Sequence, residues 1–108
     1  MTDNIEVDLD TFASAFAEGA VVLDVRNPDE YETAHVPGAV LIPIDELGGR
    51  FAEIPEADPL YVICAAGGRS LTAATALREA GYPALSVTGG TNGWIERGEP
   101  VVTGNSSG

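Results

Sequence analysis

Four short stretches of this chain, residues 20–23, 39–42, 60–63 and 84–87, are apolar almost throughout instead of alternating with polar residues. A strand that reads this way is covered on both faces, which means a parallel sheet packed between helices. Ile5 and Val7 flank Glu6 and add a short first strand. Between the runs the apolar period changes to that of a helix. Leu9, Phe12, Ala13, Phe16 and Ala17 share one helical face, with Asp8 placed as N-cap and Gly19 as terminator. Asn27-Pro28-Asp29-Glu30 has the cap, proline and acidic first turn of a short helix reaching about residue 34. Pro37 breaks it, and Val36, preceding a proline, is expected to be extended.

Leu47, Phe51 and Ile54 again have helical spacing, but Gly48 and Gly49 interrupt them at about 1 kcal/mol per glycine relative to alanine, so one broken or short helix is expected there. A helical pattern over residues 71–80 predicts burial of Ala73, Ala76, Leu77 and Ala80 before Gly81 ends it, and a last short helix spans 91–97. Five strands alternating with helices imply a doubly wound α/β/α domain with right-handed crossovers. Its 108 residues leave room for one domain, expected over 1–102, with the Gly- and Ser-rich residues 103–108 as a flexible tail.

The chain's single thiol, Cys64, stands where the run 60–63 stops and the helical pattern begins. If the Ser70 region opens the helix, the residues from Cys64 to Arg69 form a loop whose N–H groups converge on one sulfur. Ala65, Ala66, Gly67 and Gly68 keep side chains out of that concavity. A helix N-terminus offers unpaired donors and partial positive charge, so it favours an anion and lowers a cysteine pKa. The plainer alternative is a buried structural cysteine.

The pattern Cys64-Ala65-Ala66-Gly67-Gly68-Arg69-Ser70 resembles the active-site loop of the rhodanese-like sulfurtransferases. Leu23-Asp24-Val25-Arg26 with Glu30-Tyr31, His35-Val36-Pro37-Gly38-Ala39 with Ile42-Pro43, and Gly89-Gly90-Thr91-Asn92-Gly93-Trp94 are similar to three further family segments, in the family's order. The resemblance implies a five-stranded parallel sheet in a three-layer α/β/α domain, strand order 1-5-4-2-3. In that order the topological reversal falls between strands 4 and 2, where open α/β sheets place ligands. The implied reaction is sulfur transfer from thiosulfate or a persulfide donor such as glutathione persulfide. It passes through a Cys64 persulfide to cyanide, a small thiol or a protein thiol, without metal or organic cofactor. A protein sulfur donor or acceptor is a possible partner.

Beside Cys64 and its loop, the supporting candidates are Asp24, Arg26, Glu30 and His35. Arg69 could face an anionic donor or turn inward to a carboxylate such as Asp24 or Glu30. Arg26 and Glu30, about one turn apart, read as a structural ion pair, and His35 as a turn fastener more than a general base. Trp94 reads as packing with its indole N–H on a carbonyl, and Asp29 as part of a solvated helix start. Ala34 and Leu41 depart from residues common in the family at positions of local packing. Ala65 and Ala66 put no charge on the outer loop, which argues against thiosulfate as the natural donor.

Two other functions compete. One is a non-catalytic rhodanese-like binding module, which the presence of Cys64 disfavours. The other is a phosphatase of the related cell-cycle type, whose loop is one residue longer. Seventeen acidic residues against five arginines and no lysine give a formal charge of −12, so nucleic acid and anionic membrane surfaces are not expected partners. A lone cysteine and an N-terminus without basic or apolar regions make the cytoplasm the expected location.

Overall fold

The computed structural model describes residues 4–106. In chain order the elements are β1 (Glu6–Val7), α1 (Leu9–Ala17), β2 (Val21–Asp24), α2 (Pro28–Thr33) and β3 (Val40–Leu41). Two 3₁₀ segments follow (Ile44–Gly49 and Phe51–Glu53), then β4 (Leu60–Ile63), α3 (Gly68–Glu79), β5 (Ala84–Val87) and α4 (Gly90–Glu96). The strands form one sheet in the order β1-β5-β4-β2-β3, every pairing parallel. The strand order implied by the resemblance is therefore the one observed.

Side chains alternate across the sheet and divide the core in two. Leu60, Val62 and Cys64 of the β4 region face α3 and the 3₁₀ segments, packing with Leu23, Val25, Ala73, Ala74 and Leu77. Tyr61 and Ile63 face the other way, into a cluster with Phe12, Tyr31 and Trp94 from α1, α2 and α4. Covering both faces is what removes polar alternation from the strands.

Local signals explain most boundaries. Asp8 accepts the Thr11 N–H at 2.8 Å and starts α1, and the Glu30 carboxylate takes the Asn27 N–H at 3.0 Å at the head of α2. β3 is shorter than the expected 39–42, because the Ala39 N–H is used in a turn on the Val36 carbonyl and Pro43 follows directly. The segment 44–54 holds two 3₁₀ segments instead of a single α-helix, in keeping with the low helix propensity of Gly48 and Gly49. Arg50 bridges them through Glu46 and Glu53.

α3 departs most from expectation. It begins at Gly68, so residues 64–67 alone form the loop, and Gly68, Arg69 and Ser70 make the first helical turn. Its buried face is Ser70, Ala73, Ala74 and Leu77, whereas Ala76 and Ala80 are exposed. Three alanines in the helix and a fourth at its C-cap do not distinguish its faces by size. Ser70, drawn in by polar partners, sets the rotation.

In the stretch expected to be a flexible tail, Gly104 donates its N–H to the Glu32 carbonyl at 2.7 Å, just after Val102 and His35 exchange backbone hydrogen bonds at 2.9 Å. Residues 107–108 lie outside the described part. Among the described residues no helix is long and apolar enough to cross a membrane.

Trp94 is wholly buried, packs at a tilt against Phe12 and edge-on against Phe16, and donates its indole N–H to the Pro100 carbonyl at 2.7 Å. Trp94→Ala is expected to cost about 3–5 kcal/mol in urea unfolding, and Trp94→Phe clearly less. Equal losses for the two variants would place the energy in the indole hydrogen bond rather than in ring packing.

Candidate functional site

Cys64 follows the last residue of β4 directly, so the thiol sits at the carboxyl end of a central strand, beside the carboxyl end of β2. The residue is 1% exposed. Gly67 donates its N–H to the Cys64 sulfur at 3.0 Å, in a backbone conformation (φ +122°) that side chains rarely adopt. The sulfur lies 3.4 Å from Ser70 Oγ. Burial pushes the thiol pKa up, but the Ser70 hydroxyl and the N–H groups of Ser70, Gly67 and Ala66 outweigh it, and the pKa falls below the ordinary thiol value.

The loop is held from outside by α4. Thr91 donates its N–H to the Cys64 carbonyl at 2.8 Å, and Asn92 donates to the Ala65 carbonyl at 3.0 Å. With those carbonyls fixed outward, the following amides are free to serve the sulfur. Gly90 makes the approach possible: a Cβ there would stand 2.5 Å from the carbonyl oxygens of both Cys64 and Ala65.

Ser86 of β5 is a functional candidate that the sequence reading overlooked. It is fully buried, with its Oγ 2.7 Å from Ser70 Oγ. When Cys64 is a thiol, its S–H donates to Ser70. When it is a thiolate, the Ser70 hydroxyl must turn to the sulfur, and the Ser86 hydroxyl then donates to Ser70 Oγ. The available signal was one serine interrupting an otherwise apolar strand.

The expected Arg26–Glu30 pair is not formed. Arg26 folds back on Asp24 instead, its Nη2 2.8 Å from Oδ2, while its backbone N–H donates to Oδ1 at 3.0 Å. Both side chains are almost completely buried. The same guanidinium donates to the Ala34 carbonyl at 2.8 Å and so ties the end of β2 to the end of α2. A buried carboxylate two residues away offers a closer and drier partner than the more exposed Glu30.

Glu30 is taken by Arg69 in a bidentate pair at 2.8 and 2.9 Å. Of the two orientations open to Arg69, the structure shows the inward one, against Glu30. The Arg69 hydrogen bonds hold the Glu30 carboxyl at about 2, against the upward push of burial.

His35 is wholly buried and stacked on Tyr31, the rings 3.6 Å apart. Its Nδ1 lies 2.7 Å from the Tyr31 carbonyl and its Nε2 2.8 Å from that of Ser106, so both ring nitrogens are used on backbone. That arrangement fastens the turn after α2. No group of three or more His, Cys, Asp or Glu side chains among the described residues is placed to hold a metal.

Residues 8–97 match the Rhodanese-like domain family. A sulfurtransferase of Allochromatium vinosum is 30% identical over 100 residues, 90% of this chain and 94% of that one. A Bacillus subtilis protein named as a sulfur carrier, YrkF, is 37% identical over 97 residues; the match takes in 87% of this chain but only 52% of that protein's length. A crystal structure of a rhodanese-related protein from Thermoplasma volcanium superposes with a TM-score of 0.83 at 33% identity, covering 90% of this chain and 96% of that one.

Two outcomes test the site. Ser86→Ala is expected to slow iodoacetamide alkylation of Cys64 at neutral pH by about two- to fivefold, the equivalent of about 0.5–1 kcal/mol for a hydrogen bond of this kind. An unchanged rate would remove Ser86 from the site. The Glu30 carboxyl is depressed below its ordinary 4.5, so the stability from its pair with Arg69 is present above that pH and lost as pH falls from about 4.5 toward 2. Glu30→Gln should flatten that part of the acid-unfolding curve, and a curve of unchanged shape would contradict the assignment.

Proposed function

The chain belongs to the rhodanese-like domain family, and from that premise we propose that Cys64 carries a sulfane sulfur as a persulfide between a donor and a thiophilic acceptor. The observation that carries the reading is the buried sulfur within reach of the Gly67 N–H and the Ser70 hydroxyl, with its pKa drawn down. A thiolate so placed attacks the terminal sulfur of thiosulfate or a persulfide. One S–S bond forms as another breaks, and sulfite or the donor thiolate leaves with the electron pair. The negative end of the new persulfide takes over the donors that held the thiolate. An acceptor (cyanide, a small thiol or a protein thiol) then attacks that outer sulfur, and Cys64 leaves as thiolate, giving ping-pong kinetics.

Charge ranks the donors. Thiosulfate carries its two charges at the reacting end. Arg69 is spent on Glu30, and Ala65 and Ala66 are uncharged, so such a donor meets only amides and a helix end. A persulfide on a larger donor therefore suits the site better. The reaction requires a reduced cysteine, which fits a reducing compartment such as the cytoplasm.

The test is intact mass after incubation with glutathione persulfide or thiosulfate. The wild type should gain the mass of one sulfur atom and lose it to cyanide, while Cys64→Ser should gain none. Sulfur retained on the Ser variant, or turnover of an aryl phosphate by the wild type, would overturn the reading. Ala66→Lys adds a cation at an exposed loop position and is expected to lower KM for thiosulfate severalfold in a cyanide-coupled assay, with kcat less affected. An unchanged KM would mean that charge at the rim does not limit this donor.

A further inference from the structure

A cleft of about 310 Å³ opens beside the loop, between α2 and α4. Asp29 and Thr33 line one wall, Asn92 and Ile95 the other, and Arg26 and Ala65 also contribute. Ala65 is the residue after Cys64, so whatever fills the cleft lies next to the sulfur-carrying loop. The charges of the cleft are unequal in availability. Arg26 is neutralised by Asp24 and Glu30 by Arg69. Asp29 is exposed and forms no ion pair among the described residues. Opposite it, Ile95 is 45% exposed, one of only two large apolar side chains so exposed among the described residues. The chain around the cleft carries a formal charge of −12.

Resting on the persulfide reading above, we propose that this cleft is the docking surface for a cationic, partly apolar segment of a partner protein that presents a cysteine to Cys64. A lysine or arginine of the segment pairs with Asp29, an apolar side chain covers Ile95, and the partner's thiolate reaches the outer sulfur. Transfer conserves electrons: the partner's sulfur forms a bond to the sulfane sulfur, the Cys64–sulfur bond breaks, and Cys64 keeps the electron pair. An acidic segment is repelled by Asp29 and by the whole chain, and a neutral one gains only the apolar contact.

The probes are three short peptides with one cysteine and an adjacent leucine, flanked by lysine, serine or glutamate. Discharge of the sulfur-loaded protein is expected to be about tenfold faster to the lysine peptide than to the serine peptide at about 0.05 M salt, slowest to the glutamate peptide, and nearly equal for all three at about 0.5 M. Asp29→Asn should shrink the lysine preference and Ile95→Ser should raise KM for the lysine peptide, both leaving discharge to cyanide unchanged. Equal rates for the three peptides, or variants that leave peptide discharge intact, overturn the proposal.

Intrinsic thiol reactivity is removed by a parallel arm, in which serine analogues of the peptides are titrated and binding is followed by fluorescence anisotropy. Salt-sensitive binding of the lysine analogue that Asp29→Asn weakens supports the surface; its absence counts against it. A protein that binds that analogue yet never gains sulfur keeps the surface and fails the sulfur-transfer reading, so the two failures are told apart.

Discussion

A sulfur atom almost sealed from water can bear negative charge only if N–H and O–H groups replace the solvent it has lost. Much of the carboxyl edge of this sheet answers to that need. β4 ends just before Cys64, α3 starts four residues after it, and Gly67 bends through positive φ so that its amide turns to the sulfur. The outward-facing carbonyls of Cys64 and Ala65 find donors at the head of α4, where Gly90 removes the side chain that would block the approach. Ser70 and Ser86 extend polar support into the layer between sheet and helix. The central strands β4 and β5 thus bring the nucleophile and its farthest hydroxyl into one place.

Two arginine–carboxylate pairs fix the neighbourhood of the seat. Asp24 with Arg26 joins the end of β2 to the end of α2, and Glu30 with Arg69 joins α2 to the first turn of α3. The first is buried and the second about a third exposed, and neither is strong evidence of net stability: desolvation offsets much of the attraction in the one, and solvent screens the other. Their geometric effect is clearer: they set how far α2 stands from the loop. They also commit both guanidinium groups near the sulfur, in a chain with only five arginines, which leaves the approach to Cys64 poor in positive charge.

The sheet was largely legible in the sequence because burial on both faces writes itself as uninterrupted apolar residues. The runs 60–63 and 84–87 coincide with β4 and β5. Edges and helix rotations were harder to read. α3 is alanine-rich on several faces, so apolar spacing alone could not show that Ser70 sets its inward stripe. Cys64 and its loop announced themselves through glycine content and position at a strand end. The Asp24–Arg26 pair did not, because helical spacing pointed Arg26 to Glu30, whereas the chain leaving a strand lets it fold back over two residues. Ser86 was hidden for a related reason: its partner lies sixteen residues away, across a helix. Gly90 stood in the sequence as part of the segment from Gly89 to Trp94, and only the packed loop shows that the space beside it is filled.

The two outermost strands, β1 and β3, are only two residues long. An exposed strand edge is a template on which another chain can add backbone hydrogen bonds, and long apolar strands beside it make such templating dangerous. Here the three long strands lie in the middle of the sheet, while Glu6 occupies one margin and Pro43 closes the other. Proline has no N–H to offer an incoming strand. The sheet is thereby poorly suited to grow sideways into an edge-to-edge assembly, even though its interior strands have the apolar composition from which fibrils are built.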